Sequence, residues 1–429
     1  YVIGLSSIDV STGENTVHRI QSSLNDENIW KDELFRLIHY YSPKEILFHY
    51  DDDIKYKKEE LCNLFSLDMN ILYLNLYKDN QFKKPSFQNA FLDKMFKRDN
   101  SLSSIEYLGF ERENEITLSY IYMIQFVYEH KLENTMNLPK PIYKTDNKNL
   151  ILSHNCIYQL YLIPNREHED EKYNSLLSIL NKCDTAIGRR LCKQRLLYPI
   201  LDIDILRERY DMIEKFQTDN IYDLLKPNLR KILDIEKLHR KMGLSLLTPY
   251  EFFTLDTSYN YLMNCINILK DKLSVITDKY NDKIRTLDIF MNEYNDIFNI
   301  NELEKYSLVN MITSVFKNNI YPEIDELQKD ILNSRNMIDL ICEKLDKYID
   351  HNKKDLIKKD HNEKYGFFIY VTDNRAKIFK KSIGNLVNTN IKIGDISVDL
   401  KDIKFVKRGS NTHIEFDIFK NLSNKLVSD

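Results

Sequence analysis

The sequence predicts a multidomain α+β protein: an α/β portion, then a long all-α portion, then a small β-rich unit inserted at the end of a helical arm. Three observations predict it. At 429 residues the chain is too long for one ordinary hydrophobic core. Strand and helix patterns alternate through the first 133 residues, and helical periodicity dominates after them. Residues 324–348 then hold a heptad repeat, which gives way to period-two patterning near Gly366. Only 9 glycines in the whole chain favour long helices over glycine-rich phosphate loops.

In order, residues 2–10 alternate as a strand, Ser11-Thr12-Gly13-Glu14-Asn15 supplies turn chemistry, and 16–20 returns as a second strand. A helical pattern over 28–41 is stopped by Pro43, because proline lacks the N–H that a helix needs. Strand patterns at 45–50 and 71–76 alternate with helical ones at 56–65 and 87–96, and 115–130 is strongly amphipathic. A hairpin entering such an alternation predicts a mixed sheet of RNase H-like type over residues 1–133.

Residues 134–148, with Pro139 and Pro141, have linker composition, and 134–352 reads as helical. Asp184 or Thr185 can cap a helix that Pro199 ends, and Asp202 or Asp204 can open the next one, over 203–216. Residues 233–242 and a long region from Pro249 are also helical. Pro322 opens the arm, in which Ile324, Leu327, Ile331, Ile338, Ile341, Leu345 and Tyr348 occupy the a and d positions, with only Ser334 out of type. Such a helix of about 25 residues is roughly 38 Å long and has a narrow seam for one antiparallel partner. Residues 353–413 form the β unit, with strands at 366–372, 391–393, 396–400 and 403–406 and turns at Gly384, Gly394 and Gly409, and helix resumes over 414–429.

Charge is unevenly placed. Residues 351–410 hold 14 Lys/Arg against 7 Asp/Glu, a local net of +7 that leaves −11 on the remainder. A basic island on an acidic body points to a local nucleic-acid contact. The candidates are Lys364, Arg375, Lys377, Lys380, Lys381, Lys404, Lys407 and Arg408, read as lying among turns and strands at the arm tip. Arg189, Arg190, Lys193 and Arg195 are better read as partners of acids on neighbouring helices than as phosphate ligands. The six cysteines form no C-x-x-C pair, which predicts small buried thiols in a reducing intracellular compartment rather than a disulfide or zinc framework. No apolar run has the length to cross a bilayer, and no basic leader precedes one.

Motifs across nearly the whole chain carry a resemblance. Thr185-Ala-Ile-Gly-Arg-Arg-Leu191, closed by Leu196-Leu-Tyr-Pro199, resembles the core of the lever domain in MutS-type DNA mismatch-repair proteins. Val10-Ser-Thr-Gly-Glu14 is similar to the opening of the MutS connector domain, and Ile105-Glu-Tyr-Leu108 to its closing stretch. Leu138-Pro-Lys-Pro141 sits where the family passes into the lever, and Asp234-Ile-Glu-Lys-Leu-His-Arg240 is similar to a lever helix. Tyr321-Pro-Glu-Ile-Asp-Glu-Leu327 resembles the start of the descending lever helix, and Tyr365-Gly-Phe-Phe-Ile-Tyr-Val371 a clamp strand.

The resemblance implies an RNase H-like connector at 1–133, a helical lever with long antiparallel helices at 134–352, an inserted β clamp at 353–413 and a returning lever helix from 414. It implies non-sequence-specific clamping of double-stranded DNA and mechanical coupling to an ATPase domain. Neither the Phe-x-Glu of the family's mismatch wedge nor a G-x-x-x-x-G-K-[ST] phosphate loop occurs in the sequence. The expectation is therefore a chain that is not itself an enzyme and holds no cofactor. Its parent would be a homodimer using ATP and Mg²⁺, located in cytoplasm, nucleus, organelle or viral factory. The start at Tyr1 and the amphipathic helix at the end fit an excised fragment. The competing reading is an RNase H-like nuclease with a two-metal site at Asp9, Asp51, Asp52 and Asp53, with Glu106, and a helical DNA-binding extension. Carboxylates are commonplace in turns, which favours the first reading.

Overall fold

The computed structural model describes residues 1–22, 28–50, 56–96, 102–144, 149–150, 152–164, 173–218, 220–306, 313–350, 355–362, 366–386, 389–393 and 396–428. Two compact units divide it, Tyr1–Ile289 with Leu303–Leu308, and Phe290–Glu302 with Val309–Asp429. The protein is mixed α and β, as its patterning requires. Among the described residues no helix is long and apolar enough to cross a membrane.

The first unit opens on an antiparallel hairpin, β1 (Val2–Ile8) and β2 (Asn15–Gln21), with Ser6 opposite Val17 and Leu5 opposite His18. Alternation sends its two faces into two different cores. Ile3, Leu5 and Ile20 pack towards α1 (Ile29–Tyr41) and α2 (Lys58–Phe65), around Trp30, Leu37, Leu61 and Phe65. On the other face Ile8 and Val17 meet Phe91, Leu92, Ile116, Tyr120 and Ile124.

Between them, β3 (Ile46–Phe48) pairs in parallel with β4 (Leu72–Leu74). The helices beneath the second face are α3 (Pro85–Met95), α4 (Ser104–Leu108) and α5 (Asn114–His130). Pro85 occupies the first turn of α3, where a missing N–H costs nothing. The two-residue strand β5 (Ile142–Tyr143) then joins β2 in parallel. Among the described residues the strands form two ladders, β1-β2-β5 and β3-β4, which together hold both antiparallel and parallel pairs.

Close helix-on-strand packing depends on Gly4. A Cβ there would collide with the backbone carbonyl of Glu115 in α5, and two residues on, the Ser6 and Ser119 hydroxyls meet at 2.6 Å.

The helical remainder of this unit runs through α6 (His154–Gln159), α7 (Leu176–Leu180), α8 (Ala186–Leu197), α9 (Ile203–Thr218), α10 (Ile221–Leu229), α11 (Ile235–Gly243), α12 (Pro249–Lys272) and α13 (Ser274–Lys279). Thr185 caps α8 by accepting from the Gly188 N–H at 3.0 Å, as predicted, and Thr248 with Glu251 closes a capping box before Pro249. The predicted apolar stripe of α8 and α9 is only partly covered. Leu197 is buried, but Leu191 stays exposed and α9 buries none of its residues.

The division between the units falls within α14 (Asn281–Ile297), which α15 (Ile300–Leu303) follows. The arm of the second unit is α16 (Pro322–Asp346), 25 residues long as its heptads require. Ser334, Ile338, Ile341 and Leu345 bury its C-terminal half, while Leu327 near its start is exposed.

Past the arm come β6 (Lys358–Asn362), β7 (Gly366–Thr372), α17 (Asp373–Gly384), β8 (Asn390–Ile393), β9 (Ile396–Asp399), β10 (Lys404–Arg408), β11 (Asn411–Glu415) and α18 (Asp417–Ser428). An antiparallel sheet in the order β10-β11-β7-β6 buries Ile369, Val371 and Ile414 against Ile341, Leu345, Phe379 and Phe419. α18 returns against α16, so the seam does receive a helix that lies after residue 413.

Candidate nucleic-acid interface

The eight cations of the sequence-predicted site fall into different settings. Lys364 lies outside the described residues. Arg375, Lys377, Lys380 and Lys381 do not sit among turns and strands. They ride on α17, a twelve-residue helix that the sequence reading missed. Its apolar signal is sparse, since only Ala376, Phe379 and Ile383 mark the inner face, against four cations and Asp373. Thr372 precedes it without a side-chain capping bond.

Arg375 is structural, since its guanidinium donates to the Leu356 carbonyl at 3.0 Å. Lys380 lies over the Phe405 ring, 5.0 Å from its centroid, and Phe405 stands edge-on to Phe379. Lys377 and Lys381, one turn apart, are exposed beside Asn374 and Ile378 on the outer stripe of the helix.

On β10 the period of two separates the remaining three. Lys407 points with Phe405 towards α17 and holds Asp373 at 2.7 Å. That ammonium, ahead of the Thr412 hydroxyl that also donates to Asp373 at 2.7 Å, holds the Asp373 carboxyl below its ordinary pKa. Arg408 reaches Glu415 at 2.8 Å. Lys404 is exposed, and its cross-strand neighbour is Glu415. β10 and β6 are the two edges of the sheet, and their dense charge also blunts edge-to-edge pairing.

Of the eight candidates Lys377, Lys380, Lys381, Lys404 and the ion-paired Lys407 are exposed, with Lys404 on the face of β10 turned away from α17, and Lys358 of β6, Lys392 and Lys401 are exposed as well. Lys358 was missed because an all-polar strand, Lys358-Lys-Asp-His-Asn362, shows no apolar alternation.

The residues that carry the first unit's motifs work on one another. Arg190 of α8 donates to both carboxylate oxygens of Asp234 at 2.8 and 2.7 Å, and it also pairs with Glu236. Six residues on from Asp234, the buried Arg240 donates to the carbonyls of Asn137 (3.0 Å), Asn134 (3.0 Å) and Met136 (2.9 Å). Its aliphatic stem passes Gly13, where φ is +79° and an added Cβ would lie 2.9 Å from Cδ. Asn15 ties the same turn to the Pro139 carbonyl at 3.0 Å and accepts from the Tyr120 hydroxyl at 3.0 Å. Residues 134–139, linker-like in composition, are thus fastened by side chains from both directions.

Asp9 and Glu106 serve local structure. Asp9 accepts from the N–H and hydroxyl of Ser11 at 2.8 and 2.6 Å, and Glu106 closes a capping box with Ser103. Asp51, Asp52 and Asp53 lie outside the described residues. Among those described, no cluster of three His, Cys, Asp or Glu side chains is placed to hold a metal.

The family model of MutS domain III matches residues 155–428. The chain belongs to the MutS family. The MutS chain is 29% identical, over 94% of its length and 39% of the relative's, to a putative DNA mismatch repair protein mutS homolog of Acanthamoeba polyphaga mimivirus. It is 24% identical to the DNA mismatch repair protein MutS of Caldanaerobacter subterraneus subsp. tengcongensis, over 99% of the chain and 46% of that protein. To the MutS of Clostridioides difficile it is 24% identical over 86% of the chain and 36% of that protein. The chain thus spans less than half the length of these MutS relatives.

Proposed function

We propose that this MutS chain is the mechanical and DNA-clamping part of a mismatch-repair protein. Residues 1–133 serve as an RNase H-like connector, 134–352 as the lever, 353–413 as the inserted clamp, and α18 as the start of the returning lever helix. The clamp holds duplex DNA by its phosphates without reading sequence. The observation that carries this reading is the exposed set Lys377, Lys380, Lys381 and Lys404 on an otherwise acidic chain. Lysine is a point charge on a flexible stem, suited to phosphate and poorly suited to two-pronged recognition of a base edge.

ATP and Mg²⁺ belong, on this reading, to a portion of the parent protein outside the chain, as does homodimerisation. What supports this placement is that the sequence contains no G-x-x-x-x-G-K-[ST] loop to wrap a triphosphate. The nuclease alternative has no support from the MutS relatives or from the local roles of Asp9 and Glu106.

Fluorescence anisotropy with labelled duplexes of unrelated sequence tests the reading. Replacing Lys377, Lys381 and Lys404 together with Gln should weaken binding equally for every duplex. It should also flatten the slope of log K against log salt by up to about 0.9 for each phosphate no longer neutralised. Unchanged affinity and slope would remove this surface from the DNA path.

A further inference from the structure

The segment leading into α8 folds back onto the helix it caps. Arg189, in the first turns, donates to the carbonyls of Cys183 and Asp184, both at 3.3 Å, and the Asn181 amide reaches the Arg189 carbonyl at 3.4 Å. This strap lays the Cys183 side chain over Gly188. A Cβ on Gly188 would sit 3.2 Å from the Cβ of Cys183 and 3.5 Å from its Sγ. Cys192 follows Gly188 by four residues, one turn along the same stripe of the helix. Glycine at 188 therefore leaves room for the capping Thr185 hydroxyl and the Cys183 side chain against the stripe of α8 that carries Cys192. Both cysteines are partly exposed, and neither is in a disulfide. Burial first, and then the neighbouring Cys183 thiol, raise the pKa of Cys192, as a close thiol partner does.

We propose that Cys183 and Cys192 are a redox-responsive dithiol that closes into an intramolecular disulfide when a peroxide or glutathione disulfide oxidises it. With a peroxide, one thiolate attacks the O–O bond and becomes a sulfenic acid, releasing water. The second thiol attacks that sulfur, the S–S bond forms, and the sulfenic oxygen leaves as a second water. With glutathione disulfide, the first thiolate displaces one glutathione, and the second displaces the other from the mixed disulfide. In both routes the two cysteines lose two protons and two electrons to the oxidant.

The closed pair would pin the strap to α8. Asp184 goes with it, and that carboxylate accepts from Arg230 at 3.0 Å and from the Tyr222 hydroxyl at 2.9 Å, both on or beside α10. Oxidation would thus fasten the strap covalently to α8, while its tie to α10 stays the hydrogen bonds of Asp184.

The test uses the folded chain, treated with graded hydrogen peroxide, blocked with iodoacetamide and digested with trypsin. The expected product links peptides 183–189 and 191–193, two hydrogens lighter than their sum, and dithiothreitol releases it. Cys183→Ser and Cys192→Ser should each abolish the product and leave the other thiol open to alkylation. Phenylarsine oxide, whose arsenic bridges two adjacent thiols, gives a readout free of oxidant. The untreated chain should retain it against excess monothiol, and both variants should release it. Recovery of both peptides fully alkylated at peroxide levels that modify the partly exposed Cys156, or a link from either to another cysteine, would overturn the assignment.

Discussion

Arg190 and Asp234 face each other as a two-pronged ion pair, with both carboxylate oxygens accepting at 2.8 and 2.7 Å across 44 residues of chain. Asp234 stands at the cap of α11, so the pair fixes where that helix begins relative to α8. The Arg190 hydrogen bond, ahead of its charge, holds the Asp234 carboxyl below its ordinary pKa. A carboxylate depressed in the folded state stabilises the protein above the unfolded value near 3.9, and that contribution is lost as pH falls through the lowered one. Arg190 is more than one-third exposed, so water screens the pair. Arg190→Met should cost about 1 kcal/mol in urea unfolding at pH 7. The gap from the parent chain should narrow by pH 3, and a gap that widens in acid would contradict the pairing.

Two glycines should respond to alanine in different ways. Gly4→Ala sets a Cβ into the backbone of Glu115, which cannot yield without moving α5 off β1. A loss of about 1–3 kcal/mol is expected, the range for overpacking a tight core. Gly13→Ala meets a positive φ and the flexible stem of Arg240, which can swing away. That swing endangers the three carbonyls of residues 134–137 that Arg240 serves. Gly13→Ala should therefore speed amide hydrogen exchange across 134–144 without a comparable effect at α5. Exchange that is unchanged there would show that the arginine keeps its bonds.

Much of this was legible in the sequence, and what was missed has a physical pattern. Pro322 and the heptads located α16, and surface-charge logic favoured acid partners over phosphate for Arg190. Both signals are local or repeat along one helix. α17 was not legible, because three inward apolar residues and an outward Ile378 among four cations look like a basic loop. Nor was β6, which is polar at every position and exists by pairing with β7. The partners of Lys407 and Arg408 depend on strand register, so Asp373 and Glu415 could not be chosen from spacing alone. Neutralising Lys407 and Arg408, two of the cations that the sequence points to, thus removes ion pairs as well as surface charge.

His49 is an acid-sensitive point of the first unit. Its ring stacks on Tyr122 at 4.2 Å and near Tyr77 at 6.1 Å, and burial lowers its pKa to about 4. A histidine depressed in the folded state favours folding fully above its unfolded pKa near 6.5. That contribution falls as pH drops from there towards 4. His49→Phe keeps a flat ring in the stack and removes the titration. The variant should lose less stability than the parent chain between pH 6.5 and 4, read from urea midpoints at each pH. An NMR titration of the parent should place the His49 midpoint well below 6, and a midpoint near 6.5 would remove the burial argument.

On the proposed DNA-binding surface Asp373 competes with phosphate for Lys407. It holds the Lys407 ammonium at 2.7 Å and so withholds a cation from any phosphate that approaches β10. Asp373→Asn removes the charge but keeps an oxygen to accept from Thr412, so the tie to β11 and the start of α17 survive. Lys407 is then free to reach phosphate, and the nearby Lys377 loses a competing anion. Affinity for duplex DNA should rise, and the slope of log K against log salt should steepen by up to about 0.9 for the one further phosphate neutralised. Adding Lys407→Gln to Asp373→Asn should reverse the rise, which separates a freed lysine from a general change in net charge. If Asp373→Asn binds duplex no more tightly than the parent chain at any salt concentration, Lys407 lies off the DNA path. The proposed interface would then rest on the other exposed lysines, Lys377, Lys380, Lys381 and Lys404 among them.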